Sequence, residues 1–239
     1  MARFKRHEAC PKCGSRDNLG RYDDGSAWCF GCGYYEKANA WGWKPSEPSE
    51  RDDGDQFQLS AGLVESTHFP ERVTEYLQKY GISPQEAFRN GARFDADRRA
   101  LAFVYQNIHG QPCCVQERSF AGNPKIPKYL NRGETSDVWC LIGDKGTAVT
   151  ITEDTLSAIK VGRVCDAFPA LGTNFQNWKL LELFKRGYRR VYVWLDSDKW
   201  REGREICEKA QWLGMTAKAI LTDLDPKSYS DKDILEYLK

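Results

Sequence analysis

The sequence predicts an α/β chain in three parts: a small four-cysteine module, an α+β segment, and a C-terminal parallel sheet covered by helices. Three observations carry this reading. Two close cysteine pairs stand near the N-terminus, strand-like alternation follows a helix-spaced stretch, and from Thr147 onward apolar strands alternate with helical segments. The boundaries drawn from these shifts are 1–40, 41–67, 68–140 and 141–239.

Composition narrows the class. With 239 residues, 41% hydrophobic and 29% charged, the chain is an ordinary folded protein rather than a disordered or fibrous one. No apolar run approaches the roughly 20 residues that cross a bilayer. The start, MARFKRHEAC, lacks the apolar stretch of a signal peptide, so the expected setting is a reducing cytoplasm with no membrane partner. A net charge of +1 excludes a uniformly basic nucleic-acid binder. Attraction for phosphate must come from local patches.

In 1–40, CPKC at 10–13 and CFGC at 29–32 supply four thiolates with fifteen residues between the pairs. Too few aliphatic residues lie here to build a core, so the module needs a staple. Two such turns bring sulfurs about 4 Å apart, as a tetrahedral zinc shell requires. Cys10, Cys13, Cys29 and Cys32 are therefore the expected ligands of one structural zinc, with Gly14 and Gly33 suited to the turns that follow. A complete shell leaves no open position, so this metal folds the module and does not catalyse. Cys113, Cys114, Cys140, Cys165 and Cys207 have no metal-site spacing and read as buried small side chains. Tyr22, Trp28, Phe30, Tyr34 and Tyr35 interleave with Arg3, Lys5, Arg6, Arg16 and Arg21, the pairing of rings and cations used on single strands. Some rings, Trp28 or Phe30 among them, must cover the module's own core, because alternate strand residues face opposite ways.

The stretch 41–67 contains KPSEPSERDDGDQ and reads as an acidic, flexible linker. In 68–140, Val73, Tyr76, Leu77 and Tyr80 stand at helical spacing, and Ser83 with Pro84 starts a second short helix. Strands follow at Leu101–Tyr105 and Cys113–Glu117, around a turn at Asn107–Gly110. Arg118, Lys125, Lys128 and Arg132 make a basic stretch able to hold nucleotide phosphates or a template backbone, and Tyr129 suits base stacking or packing equally.

In 141–239, TAVTIT, DAFPALG, RRVYVWLD and MTAKAILT read as strands, separated by the helices DTLSAIKVGR, FQNWKLLELFKRG and REGREICEKAQWLG. Strands so continuously apolar are buried on both faces, which implies a parallel sheet with its site beyond the carboxyl ends. Glu153 and Asp196 end two of these strands, and Asp198 shares a face with Asp196 unless the chain turns at Ser197. Acids gathered at one edge repel unless a hard divalent cation neutralises them. Glu153, Asp196 and Asp198 are thus the candidate catalytic acids and the ligands of one or two magnesium ions, with manganese able to substitute. Such cations neutralise charge that grows when a hydroxyl attacks an α-phosphorus. Asp154 reads as a helix cap or a supporting acid, and Lys227 as a cation within reach of the edge, with Asp225 or Asp231 adding an acid.

The order CPKC, DDGSAWCFGC, acidic linker, VTITED, LG and WLDSD resembles bacteriophage primases of the T7-like primase-helicase type, over nearly the whole chain. The resemblance implies a zinc-ribbon template-binding domain at 1–40, a linker at 41–67, the N-terminal subdomain of an RNA polymerase domain at 68–140, and a TOPRIM catalytic core at 141–239. It matches Cys10, Cys13, Cys29 and Cys32 to the zinc ligands, Glu153 to the TOPRIM glutamate, and Asp196 and Asp198 to its DxD. Lys125 or Lys128 matches a basic nucleotide-contacting position. Arg118 and Lys227 join them as nucleotide or template ligands, and Arg21, Tyr22, Asp24 and Trp28 are the expected template contacts of the ribbon. The implied activity is a DNA primase that binds single-stranded DNA, joins ribonucleoside triphosphates into short RNA primers, and works beside a replicative helicase and a DNA polymerase. For a phage-encoded chain the setting is the host cytoplasm.

Four departures matter. The usual Glu-Gly pair is Glu153-Asp154, DxDxxG appears as DSDKWREG, the late Lys-Asp motif reads Lys227-Ser228, and Ser26 stands where the best-known member of the family has a histidine. No GxxxxGK[ST] run is present, so the expected partner helicase is a separate protein or a further part of a longer one. Two other functions fit the same residues: a TOPRIM metal-dependent nuclease, and a non-catalytic zinc-ribbon DNA-binding or replisome adaptor.

Overall fold

Four short antiparallel strands, β1 (Phe4–Glu8), β2 (Leu19–Tyr22), β3 (Ala27–Cys29) and β4 (Tyr35–Glu36), form the N-terminal sheet in sequence order. The computed structural model describes residues 3–16, 18–29, 34–36, 59–122, 127–172 and 175–239. The chain divides into two units, Met1–Gln56 and Phe57–Lys239. In the first, Leu19 pairs with Cys29 and Gly20 with Trp28, which buries Ala27 and Cys29 and turns Trp28 outward. The buried cluster among the described residues is Cys10, Leu19, Ala27 and Cys29, with Tyr34 against it. Gly14, at φ +67°, closes the turn after Cys13 by donating its N–H to the Cys10 carbonyl at 3.0 Å.

The second unit opens with an antiparallel sheet of β5 (Leu63–Val64), β6 (Ala92–Asp95), β7 (Ala100–Gln106), β8 (Pro112–Ser119) and β9 (Tyr129–Gly133), again in sequence order. Leu63–Val64 lies within the stretch expected to be linker, and it pairs with β6. Helices α1 (Glu71–Gln78) and α2 (Pro84–Arg89) cover one face, burying Val73, Leu77 and Ala87 against Leu101, Phe103 and Tyr105. Ser83 caps α2 by accepting the Glu86 N–H at 3.1 Å, and Pro84 occupies the first helical position, where no N–H is needed.

A four-stranded parallel sheet follows. Its strands are β10 (Ala148–Thr152), β11 (Asp166–Pro169), β12 (Arg190–Trp194) and β13 (Thr216–Ala219), in the order β11-β10-β12-β13. Helices α3 (Thr155–Gly162), α4 (Asn177–Lys185), α5 (Trp200–Trp212) and α6 (Asp231–Tyr237) cover it. Leu180 and Leu183 of α4 and Ile206 of α5 pack with Val149, Val191 and Val193 on one face. Ala158 and Val161 of α3 and Ile234 of α6 pack with Ala167 and Trp194 on the other. Leu156 and Ile159 of the same α3 join the core of the antiparallel sheet. A helix wedged between two sheets is buried nearly all round, and Thr155 through Val161 are all buried, the polar Thr155, Ser157 and Lys160 included. This wedge sets the N-terminus of α3 at the junction of the two sheets.

Candidate functional site

Parallel register aligns Thr152 of β10 with Trp194 of β12. Glu153 comes one residue beyond the first and Asp196 two beyond the second, so the acids emerge from neighbouring strands at one edge. The chain crossing this edge is strained. Leu171 has a left-handed φ of 57°, unfavourable for a residue with a side chain, and its N–H donates to the Glu153 carbonyl at 3.0 Å.

A cavity of about 430 Å³ opens here. Glu153, Asp154, Asp196, Asp225 and Lys227 line one side, and Tyr76, Gln116, Arg118, Tyr129 and Asn131 line the other. Burial raises the pKa of Glu153, with Asp198 and Asp154 adding to the rise and the Asp196 N–H and Lys199 opposing it. Its Oε2 is buried without a hydrogen-bond partner among the described residues. Burial also pushes Asp196 up to about 7, helped by Glu153 and by a carboxyl hydrogen bond with Asp225. Lys227 Nζ lies 2.6 Å from both Asp154 Oδ2 and Asp225 Oδ2. Burial alone would lower its pKa, but those two acids hold it above the ordinary lysine value. Four acids thus share one side of the cavity with Lys227 and face Arg118 on the other. An orphaned buried oxygen and a surplus of carboxylates suit a hard divalent cation.

The structure separates the remaining acids. After Asp196 the chain enters a tight turn at Ser197–Lys199, so Asp198 does not continue the strand. Its side chain is 71% exposed, pairs with Lys199 at 3.0 Å and does not line the cavity. Asp154 caps α3, accepting the Ser157 N–H at 3.0 Å with φ −121°, a conformation that needs no glycine. Asp231 is engaged elsewhere, 3.2 Å from both Lys160 and Arg163, which leaves Asp225 as the acid beside Lys227.

Arg118 lies over the Tyr76 ring at 3.9 Å and the Tyr129 ring at 5.1 Å, and donates to the Tyr129 hydroxyl. Its Nε is buried without an acceptor among the described residues. Lys128 is exposed, 5.7 Å from the Tyr129 ring, and does not line the cavity. Lys125 lies outside the described residues. Arg132 is paired with Glu117 on the opposite face of the sheet. Gln116, Asn131 and the siting of Tyr76 escaped the sequence reading. Alternation puts Gln116 and Arg118 on one face of β8, and the strand register sets Asn131 and Tyr129 of β9 directly across from them.

In the ribbon, the thiols of Cys10, Cys13 and Cys29 all lie within 4.8 Å of one another, and Cys13 and Cys29 sulfurs are 3.8 Å apart. A tetrahedron with metal–sulfur bonds near 2.3 Å has edges of roughly 3.8 Å, so these thiols fit zinc. Burial raises the Cys10 pKa, but N–H groups of Cys13 and Lys12 and the neighbouring thiols outweigh it and bring it to about 7. Cys32, Phe30 and Gly33 lie outside the described residues. Trp28 is exposed with Tyr35 beside it, ring centroids 6.1 Å apart. Tyr22 is half-buried and edge-on to Phe4. Arg21 is committed to Glu8 at 2.9 Å and Glu36 at 2.6 Å, and Asp24 accepts the Ser26 N–H and hydroxyl, fixing the β2–β3 turn.

No family model matches the sequence, and no curated protein matches it. Solved structures do. The primase fragment of the bacteriophage T7 primase-helicase protein is similar over 99% of this chain and 100% of that one, at 15% identity and a TM-score of 0.53. The zinc-binding and RNA polymerase domains of the Aquifex aeolicus primase match 98% of this chain and 79% of theirs, at 12% identity and 0.60. The E. coli primase catalytic core matches 65% and 67%, at 17% and 0.51. Likeness at such identity is likeness of fold, and it runs to bacterial and phage structures alike. The chain has a primase-like architecture: a TOPRIM-like parallel sheet, a flanking antiparallel β/α subdomain, and an N-terminal cysteine cluster.

Proposed function

We propose that this chain is a T7-like DNA primase that makes short RNA primers on single-stranded DNA by metal-dependent nucleotidyl transfer. One observation carries the reading. Glu153 and Asp196 end adjacent parallel strands and face Arg118 and Tyr129 across a cavity, with one Glu153 oxygen buried and without a hydrogen-bond partner among the described residues.

Glu153 and Asp196, with Asp198 at the rim, would hold one or two magnesium ions, and manganese could replace them. Bound magnesium supplies positive charge for the triphosphate and the developing pyrophosphate. The chain's own groups do the rest. Asp196, pushed up to about 7 chiefly by burial, must be deprotonated before it can ligate a cation. Asp154 and Asp225 hold Lys227 at the cavity wall, where it and Arg118 meet phosphate oxygens. Tyr129 and Tyr76 offer ring faces, and Lys125 or Lys128, from the segment leading into β9, adds charge for nucleotide or template. In the ribbon, Cys10, Cys13, Cys29 and Cys32 would hold one zinc ion. Trp28 and Tyr22 present rings to template bases there, while Arg21 and Asp24 keep that surface in shape.

We assign 1–40 to template binding, 41–67 to the linker, 68–140 to the N-terminal part of the polymerase and 141–239 to its TOPRIM core. The primer then passes to a DNA polymerase, beside a replicative helicase, in the host cytoplasm. No helix among the described residues is long and apolar enough to cross a membrane.

Incubation with mixed single-stranded templates, Mg²⁺ and labelled ribonucleotides tests the proposal. New short RNA is expected, and Asp196→Asn should lower it on the order of 10³-fold while template binding persists. A shortened template would mean a nuclease. Template binding with no turnover in the parent would mean a replisome adaptor.

A further inference from the structure

Four charged side chains meet at the C-terminal end of α3, and none of them lines the cavity. Arg163, just past the last turn of α3, forks onto Glu86 of α2, with Nε 2.7 Å from Oε1 and Nη2 2.6 Å from Oε2. Its Nη2 also donates to the Gly81 carbonyl at 2.8 Å, and its Nη1 to Asp231 Oδ1 of α6 at 3.2 Å. Buried Lys160 reaches the same Asp231 oxygen at 3.2 Å. Arg163 thus joins a helix beside the antiparallel sheet to the helix that follows β13.

Each tie leads toward a cavity residue. Gly81 follows Tyr80, whose ring centroid lies 5.8 Å from Lys227 Nζ. Asp231 stands four positions after Lys227, beyond the tight turn Pro226–Ser228. Asp154 and Asp225 hold the Lys227 ammonium, but Asp225 belongs to the same segment as Lys227, and Asp154 to the same side of the cavity. Neither fixes Lys227 relative to Arg118, which stands on the antiparallel sheet opposite. Arg163 does, because Glu86 and Gly81 belong to the helical layer packed on that sheet. Apolar packing joins the same elements, but it has no direction, whereas a fork and two further donors set one.

We infer that Arg163 is a positioning residue for triphosphate binding: by tying Glu86 and Gly81 to Asp231, it holds Lys227 and Arg118 at the spacing that one triphosphate bridges. The inference rests on the cavity being the nucleotide site. Arg163 touches no substrate and acts through Lys227. A misplacement of about 1 Å can cost on the order of 10²-fold, so a tie remote from the chemistry still governs the grip.

The test is a double-mutant cycle, read by displacement of a fluorescent ATP analogue with inorganic tripolyphosphate, in Mg²⁺ and without template. Arg163→Ala should weaken tripolyphosphate binding about tenfold, and Arg163→Lys, which keeps the charge and loses the fork, should recover part of it. Arg118→Met removes the cation against which Lys227 is spaced. In that background Arg163→Ala should add less than about twofold, because no spacing remains to lose. Full additivity, or an Arg163→Ala that melts at a lower temperature yet binds tripolyphosphate like the parent, would overturn the inference and leave Arg163 a tie of the fold alone. Should Arg163→Ala not fold, Glu86→Gln and Asp231→Asn break the ties one at a time, and unchanged affinity in both overturns it equally. Primer synthesis by the parent is measured alongside. A parent that makes RNA while Arg163→Ala binds normally removes only the role of Arg163, whereas a parent that neither binds tripolyphosphate nor makes RNA removes the nucleotide site and this inference with it.

Discussion

The two units of this chain solve the same problem with different materials. Among its described residues, the ribbon buries four core side chains, two of them cysteines, and gathers a third thiol beside them. Among its own described residues, the unit from Phe57 to Lys239 buries three apolar clusters around two sheets and a shared helix. A small module cannot remove enough apolar surface from water to offset its chain entropy, so its clustered thiols, with the zinc ion proposed for them, would replace the missing core. The larger unit can, and it is free to place carboxylates and an arginine at a cavity where they cost stability. The comparison separates what folds the chain from what acts.

Removing metal from the ribbon is the largest way to break that comparison. Structural zinc contributes on the order of 10 kcal/mol to folding a module of this kind. Chelation, or Cys29→Ser, should collapse the amide dispersion of residues 3–36 in NMR spectra and abolish template use. The packed core of the second unit should stay folded and still bind triphosphates. A ribbon that keeps its dispersion after the metal is stripped would show that four side chains suffice as a core, and the contrast between the units would fail.

The difference between the units also explains what could be read in advance. Cysteine spacing is local, and so is the run of apolar residues in VYVWLD, so the thiol cluster and the parallel sheet were legible from the sequence. That β10 and β12 are neighbours was not, since the strand pattern puts each acid at a strand end without ordering the strands, and the sheet order supplies it. The other side of the cavity depends on the register of β8 with β9, and β9 is mostly exposed, with no alternation to announce it. Leu63–Val64 is too short to show a period at all. Asp225 and Asp231 look equivalent in TDLDPKSYSDKD. Tertiary contacts tell them apart, because Arg163 and Lys160 draw Asp231 away from the edge where Asp225 meets Lys227.

A core substitution sharpens the contrast from the other side. Leu183 is fully buried among Leu180, Val191 and Ile206 in the larger unit. Leu183→Ala should cost about 2–5 kcal/mol, through lost transfer free energy and the cavity left behind. Denaturant unfolding followed by near-UV circular dichroism reads the loss. Zinc content per chain should not change, since no ribbon thiol takes part in that core.

The smallest expected effect concerns the more deeply buried of the two lysines that the larger unit buries among its described residues, Lys160 and Lys179. Lys179 is 1% exposed, donates to the Thr135 carbonyl at 3.0 Å, and sits 5.7 Å from the Phe168 ring and 5.8 Å from that of Phe175. Burial lowers its pKa from 10.5 to about 8, against the opposing pull of Cys113, Asp137, Cys114 and Cys140. Between those two values the unfolded chain binds more protons than the folded one, so this group's penalty on the fold shrinks as pH rises from about 8 to 10.5. Lys179→Met removes the charge and keeps the bulk, at the cost of one hydrogen bond. At pH 7 the variant should be more stable by about 1–2 kcal/mol. That advantage should fade as pH climbs through the same window, where the parent's lysine becomes neutral. Stability differences measured by urea titration at several pH values decide the matter. A constant advantage would mean that Lys179 holds its proton equally well in the folded and unfolded chain, so that burial in this core does not disfavour its charge.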